Sequence, residues 1–155
     1  MGLLTDFRIT VQERNLGVYG IHVHQDGKTI AEHRFRSNDR ENLYSASKTF
    51  ASVGIGIAES EDLLKLTDSV LNYFPEYNGI AFPGSDKITI KNLLQMSSGH
   101  LVQDLSKFNT QDRAELFFST KLETVPGSTF FYEDLCTYML GRIIEKVNGK
   151  QCWNI

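Results

Sequence analysis

Only two cysteines, Cys136 and Cys152, occur in the 155 residues, and neither stands at a metal-ligand spacing. That scarcity excludes a disulfide-stapled scaffold and a cysteine-based zinc site. Both thiols are expected to be reduced, and Cys136, inside an apolar helical pattern, is expected in a core. A basic run or basic helix face is missing too: sixteen Lys+Arg against nineteen Asp+Glu leave a formal charge of −3, which excludes the electrostatic footprint of a nucleic-acid binder. No apolar run approaches the length of a membrane span. The opening "MGLLTDFRITVQER" is broken by Asp6 and Arg8 and carries no basic lead or cleavage site. Asp6 also stands where a myristoylation signal requires serine or threonine. These absences predict a soluble, cytoplasmic chain with neither nucleic acid nor membrane as a partner.

What is present is a change of period. A single domain over 1–155 is expected, with a hairpin over about 17–36 and a helical region over about 45–150. Residues 17–36, "GVYGIHVHQDGKTIAEHRFR", alternate about Asp26-Gly27, a pair suited to a two-residue loop because both positions need positive φ. That loop pairs Gln25 with Lys28 and Val23 with Ile30, placing Ile21, Val23 and Ile30 on one face. His22, His24 and His33 then share the other. Three imidazoles on one face could hold zinc, although no further ligand or orienting partner accompanies them.

From Ser45 the spacing turns helical. Phe50, Val53, Ile55, Ile57 and Ala58 are distributed around the helical circle, which predicts a helix buried on most sides. Gly54 and Gly56 within it point to close approach of a neighbouring element. Thr67 or Asp68 is placed to cap a short helix through Tyr73 that Pro75 stops, and Thr89 opens another. Asn109-Thr110 precedes an amphipathic helix in "QDRAELFFSTKL", and Pro126-Gly127 marks a turn. In "DLCTYMLGRIIEKV" Asp134 is placed to cap, Leu135, Tyr138, Met139, Ile143 and Val147 recur at helical spacing, and Asn148-Gly149 ends the run.

Just ahead of the first helical run stands "LYSASKTF", with Ser45 and Lys48 three positions apart. Ser45 is a favoured cap residue. A random chain of this length would carry about 0.6 such pairs, so the spacing alone decides nothing. The same spacing suits acyl transfer: residues three apart share a helix face, and a lysine in a desolvated cleft has its pKa pulled down toward a useful base. Backbone N–H groups at a helix start add positive potential where an oxyanion forms.

The succession "LYSASKTF", "LLKLTDSVLNYFPEY", "ITIKNLLQMSSGH" and "VPGSTFFYEDLCTYMLGRIIEKVNGK" resembles the serine β-lactamase and penicillin-binding-protein superfamily, in its class C β-lactamase-like and esterase branch. The resemblance runs from about residue 17 to residue 150. It implies an α+β fold of the β-lactamase/transpeptidase-like type: the N-terminal hairpin of a central antiparallel sheet plus the helical subdomain. It further implies Ser45 as the acylated nucleophile, its amide as an oxyanion donor, Lys48 as its partner and Tyr132 as the phenol of a Tyr-x-Asn motif. Ser97-Ser98-Gly99-His100 takes the place of a Thr-Ser-Gly turn and is read as structural.

Two departures follow. Asp134 stands where the family carries a substrate-binding asparagine; a carboxylate keeps the acceptor but loses the donor, which points toward esters or other small acyl substrates rather than anionic β-lactams. No Lys-Thr-Gly or His-x-Gly segment occurs in the chain. The C-terminal sheet strands, with the second oxyanion donor, are thus expected to be missing, as in the N-terminal part of a hydrolase. The resemblance calls for no cofactor or metal. The expected function is a serine hydrolase acting through a covalent acyl-enzyme on a small-molecule acyl substrate. The alternatives are a non-catalytic fragment that folds by self-association or with a complementing C-terminal segment, and a metal-binding module on His22, His24 and His33.

Overall fold

A computed structural model of the protein describes residues 2–101 and 112–149. The chain divides into two units, Met1–Asn42 and Leu43–Ile155.

In the first unit Thr5–Glu13 is a helix, α1. Its apolar residues Phe7, Ile9 and Val11 recur at every second position, a spacing that gives no helical signal, and only Val11 is buried. Strands β1 (Gly20–Gln25) and β2 (Lys28–Arg34) pair antiparallel. Asp26 and Gly27 adopt φ 49° and 75°, as the two-residue loop requires, and Gln25 faces Lys28. Beyond the turn the expected register fails. A bulge between Val23 and His24 sets Thr29 opposite His24 and Ala31 opposite Val23, leaving Ile30 as the extra, exposed residue.

One inserted residue moves every later side chain of that strand to the other face. His33 therefore lies opposite Ile21, while His22 lies opposite Glu32. The expectation that His22, His24 and His33 share a face is thereby corrected, and with it the basis of a zinc module. Among the described residues no group of three His, Cys, Asp or Glu side chains could hold a metal ion.

The second unit is helical. A 3-10 turn over Tyr44–Ser47 leads into α2 (Lys48–Ser60). Thr89 caps α3 (Ile90–Leu94) through a reciprocal box with Asn92. Asp112 caps α4 (Arg113–Ser119), accepting from the N–H groups of Ala114 and Glu115. Gly149, at φ 69°, ends α5 (Asp134–Asn148). Ile55 of α2, Leu93 of α3, Phe117 and Phe118 of α4, and Met139 and Ile143 of α5 meet in one buried core. Cys136 lies in it as a free thiol. Asn109, Thr110 and Cys152 fall outside the described residues. Among the described residues no helix is long and apolar enough to cross a membrane.

Three local expectations are corrected. The segment ending at Tyr73 is a 3-10 turn, Val70–Tyr73, and Asp68 does not cap it. Its carboxylate instead accepts from the Lys65 N–H and the Tyr73 hydroxyl, while Pro75 opens a further 3-10 turn, Pro75–Tyr77. Asp134 is the first residue of α5 and Glu133 the residue before it, so the carboxylate expected to cap is free to turn elsewhere.

Helix α2 is not buried on most sides. Ile55 and Ala58 face the core, whereas Phe50, Val53 and Ile57 are 68%, 56% and 54% exposed. The buried side lies against α5: a Cβ on Gly54 would meet the Ile144 Cδ1 methyl at 2.8 Å. At their other ends Lys48 touches Asp134, so the two helices run in the same direction with their N-termini together. Gly56 has nothing within 4 Å of its would-be Cβ and is exposed. Gly56→Ala is therefore expected to stabilise the protein by about 1 kcal/mol, the helix-propensity difference, whereas Gly54→Ala gains less because Ile144 must turn aside. Urea unfolding of the two variants measures the difference, and equal gains would contradict the assigned contact.

Candidate active site

The site grows from the start of α2. The Ser47 hydroxyl donates to the Tyr44 carbonyl at 2.6 Å, closing the 3-10 turn, and Tyr44 adopts φ 45°. Left-handed backbone is costly for a bulky side chain and collects at functional positions. Ser45 follows Tyr44 within the 3-10 turn that leads into α2. The expected capping role for Ser45 is not seen: the cap position belongs to Ser47, with no side-chain cap bond.

The Ser45 hydroxyl is instead held by two other side chains. The Tyr132 hydroxyl donates to Ser45 Oγ at 2.7 Å across 87 positions of sequence, and Lys48 Nζ donates to the same oxygen at 3.3 Å. Lys48 Nζ sits 5.1 Å from the Tyr132 ring centre and 2.7 Å from Asp134 Oδ1. The four residues marked in the sequence, Ser45, Lys48, Tyr132 and Asp134, thus converge at the paired N-termini of α2 and α5.

Their electrostatics differ from the sequence expectation in one respect. Lys48 was expected to titrate low through desolvation. The Asp134 carboxylate bonded to it, with a smaller contribution from Tyr132, outweighs desolvation and holds the ammonium above the ordinary lysine range. Hydrogen bonds that Ser45, and then Lys48, can donate to the deprotonated oxygen hold Tyr132 below the ordinary tyrosine range. Proton affinity has therefore moved from tyrosine toward lysine. When the pair gives up one proton it therefore leaves the tyrosine first, and a phenolate in contact with a serine hydroxyl can take its proton. Ser45 and Tyr132 are both exposed, so a small molecule can reach them.

Behind these residues lies a group that the sequence did not single out. Glu133, 4% exposed, accepts from the Ser98 hydroxyl at 2.6 Å and from the Cys136 thiol at 3.0 Å. His100, 1% exposed, brings Nδ1 to 3.9 Å from the same carboxylate oxygen and packs edge-on against Phe117. Burial, and then the Glu133 charge, push the Cys136 thiol up, so it stays protonated as a donor. The sequence signal was an acidic residue three positions before an apolar helix cysteine, invisible to a reading that treats both as surface and core.

Comparison with known proteins places this fold. A family model described as Beta-lactamase matches residues 8–153. Among curated proteins none matches significantly. Solved structures with the same fold include a provisionally assigned β-lactamase from Bacteroides dorei DSM 17855, at 21% identity and TM-score 0.77, covering 97% of this chain and 48% of that one. A β-lactamase/D-alanine carboxypeptidase from Pseudomonas syringae gives 24% and 0.75, covering 94% and 43%. A class C β-lactamase gives 21% and 0.74, covering 94% and 43%. The chain therefore spans less than half the length of these structures.

The ion pair with Asp134 is open to a direct check. Asp134→Asn removes the largest cause that raises Lys48, so the midpoint of Lys48 is expected to fall toward or below the ordinary lysine range. An NMR titration of ¹³C-methylated lysines follows it, and an unmoved midpoint would contradict the pair.

Proposed function

This chain belongs to the beta-lactamase family, and we propose that within it Ser45 is the nucleophile of a serine hydrolase that acts through a covalent acyl-enzyme. The observation that carries the reading is the hydrogen bond of the Tyr132 hydroxyl to Ser45 Oγ at 2.7 Å, with Lys48 at 3.3 Å from the same atom. Tyr132, as phenolate beside the Lys48 ammonium, takes the Ser45 proton as Oγ attacks the acyl carbonyl. The tetrahedral oxyanion then collapses, the C–O or C–N bond to the leaving group breaks, and the Tyr132 phenol returns its proton to that group. Water attacks the ester by the same path in reverse, with Tyr132 again the base. The oxyanion forms near the N-terminus of α2, where the backbone N–H groups and positive potential favour it. The Ser45 amide is the donor this chain supplies there.

Asp134 sets the substrate class in this reading. Its carboxylate holds Lys48 cationic and offers an acceptor but no donor to a bound acyl group, which disfavours anionic β-lactams and favours neutral esters. A second reading, a non-catalytic chain that folds by association with another copy or a complementing segment, is favoured by one observation: the exposed apolar residues Phe50, Val53 and Ile57 on α2.

Incubation with a fluorophosphonate, followed by mass spectrometry, separates the two. The first reading expects the adduct on Ser45 and hydrolysis of p-nitrophenyl esters faster than of cephalosporins; an unlabelled Ser45 in a protein that light scattering finds associated favours the second. The labelling rate is expected to rise with pH as Tyr132 ionises below the usual phenol range and to fall as Lys48 loses its proton above the usual lysine range. Asp134 raises the pKa of both groups, so Asp134→Asn is expected to move both limbs to lower pH.

A further inference from the structure

Tyr132, Glu133 and Asp134 alternate in exposure, the outer two open to solvent and the middle one buried. Glu133 has extended backbone, φ −143° and ψ 147°, so its side chain leaves the chain on the side opposite to its neighbours. Two anchors bracket Tyr132. Before it, the Phe131 N–H donates to the Met96 carbonyl at 2.8 Å; after it, the Glu133 carboxylate accepts from the Ser98 hydroxyl at 2.6 Å.

Both anchors go to the same turn, and that turn is itself fixed. The Ser97 carbonyl accepts from the Gly127 N–H at 2.7 Å, and the Ser98 oxygen that serves Glu133 also accepts from the His100 N–H at 3.2 Å. Gly99 adopts φ 100°, and a Cβ there would lie 2.6 Å from the Thr124 carbonyl oxygen. Rotation of the segment about the Phe131 bond alone would swing the Tyr132 hydroxyl off Ser45. The Glu133 side chain is the second point that stops it.

Resting on the reading of Ser45 and Tyr132 given above, we propose that Glu133 is a positioning residue for Tyr132: its buried carboxyl, clamped by Ser98 and Cys136 beside His100, fixes the phenol over Ser45. A carboxyl is suited to this place because one of its oxygens accepts two donors at once from different elements. The Ser97–His100 turn then does more than shape the loop, since it holds the residue that aims the base.

A double-mutant cycle on the 155-residue chain tests this, with the rate of fluorophosphonate labelling at Ser45 as the readout. Glu133→Ala is expected to lower the rate about 10- to 100-fold when Tyr132 is present, the scale of a misplaced catalytic group. In a Tyr132→Phe background the same substitution is expected to change it less than about twofold, since the group being positioned is gone. Glu133→Gln, which keeps the acceptor for Ser98, is expected to restore the rate to within a few-fold of the parent. Ser98→Ala, which cuts the clamp from its far side, is expected to follow Glu133→Ala and serves where that variant does not fold. Equal losses with and without the Tyr132 hydroxyl, or a Glu133→Gln protein as slow as Glu133→Ala, overturn the positioning role while leaving Ser45 as nucleophile. A parent protein unlabelled at Ser45 overturns the reading of Ser45, and the inference with it.

Discussion

The site depends on two helices lying side by side and running the same way, close enough that Gly54 of α2 faces the Ile144 methyl of α5. That contact sets the N-termini together, and everything chemical sits there. Lys48 is the first residue of α2 and Asp134 the first of α5. A cation at a helix N-terminus is opposed by the backbone dipole, while an anion is favoured there, so the pair settles what Lys48 alone would not. The geometry also explains why a lysine that pattern alone would make a base is held as an ammonium. Desolvation acts on it, but a carboxylate at 2.7 Å acts more strongly.

Buried polarity behind the site follows a separate logic. A carboxylate 4% exposed is costly unless donors meet it, and Glu133 meets two, from Ser98 and Cys136. The Ser98 bond ties the start of α5 to the turn after α3, while the Cys136 bond closes at the start of α5 itself. The site is therefore supported from beneath by polar contacts and from the side by apolar ones. By contrast, the far side of α2 stands exposed through Phe50, Val53 and Ile57, and the chain spans less than half of the structures that share its fold.

Much of this was legible in the sequence. Asp26-Gly27, the Thr89 cap and Gly149 each act through a local backbone requirement, and each stands where its residue type predicts. Ser45, Lys48, Tyr132 and Asp134 were marked by resemblance and motif order, and the fold brings them together. What was not legible depends on tertiary contacts. Periodicity cannot see the bulge at Val23/His24, which turned His33 away from His22. Burial of α2 was overread because apolar residues all around a helix mark what can be covered, not what is. The Glu133 cluster was hidden because Ser98, which reaches across to its carboxylate, comes from a turn 35 positions away.

The chemistry turns on the 2.7 Å contact between the Tyr132 oxygen and Ser45 Oγ, across which Ser45 can donate to the phenolate and so lower its proton affinity. Titrating ¹³C-labelled tyrosines by NMR, with Tyr132→Phe to assign the signal, measures that directly. The account predicts a Tyr132 midpoint below the usual value of about 10, moving upward in Ser45→Ala because the largest cause of the shift is then removed. A midpoint at or above the usual value, or one that Ser45→Ala leaves in place, would contradict it.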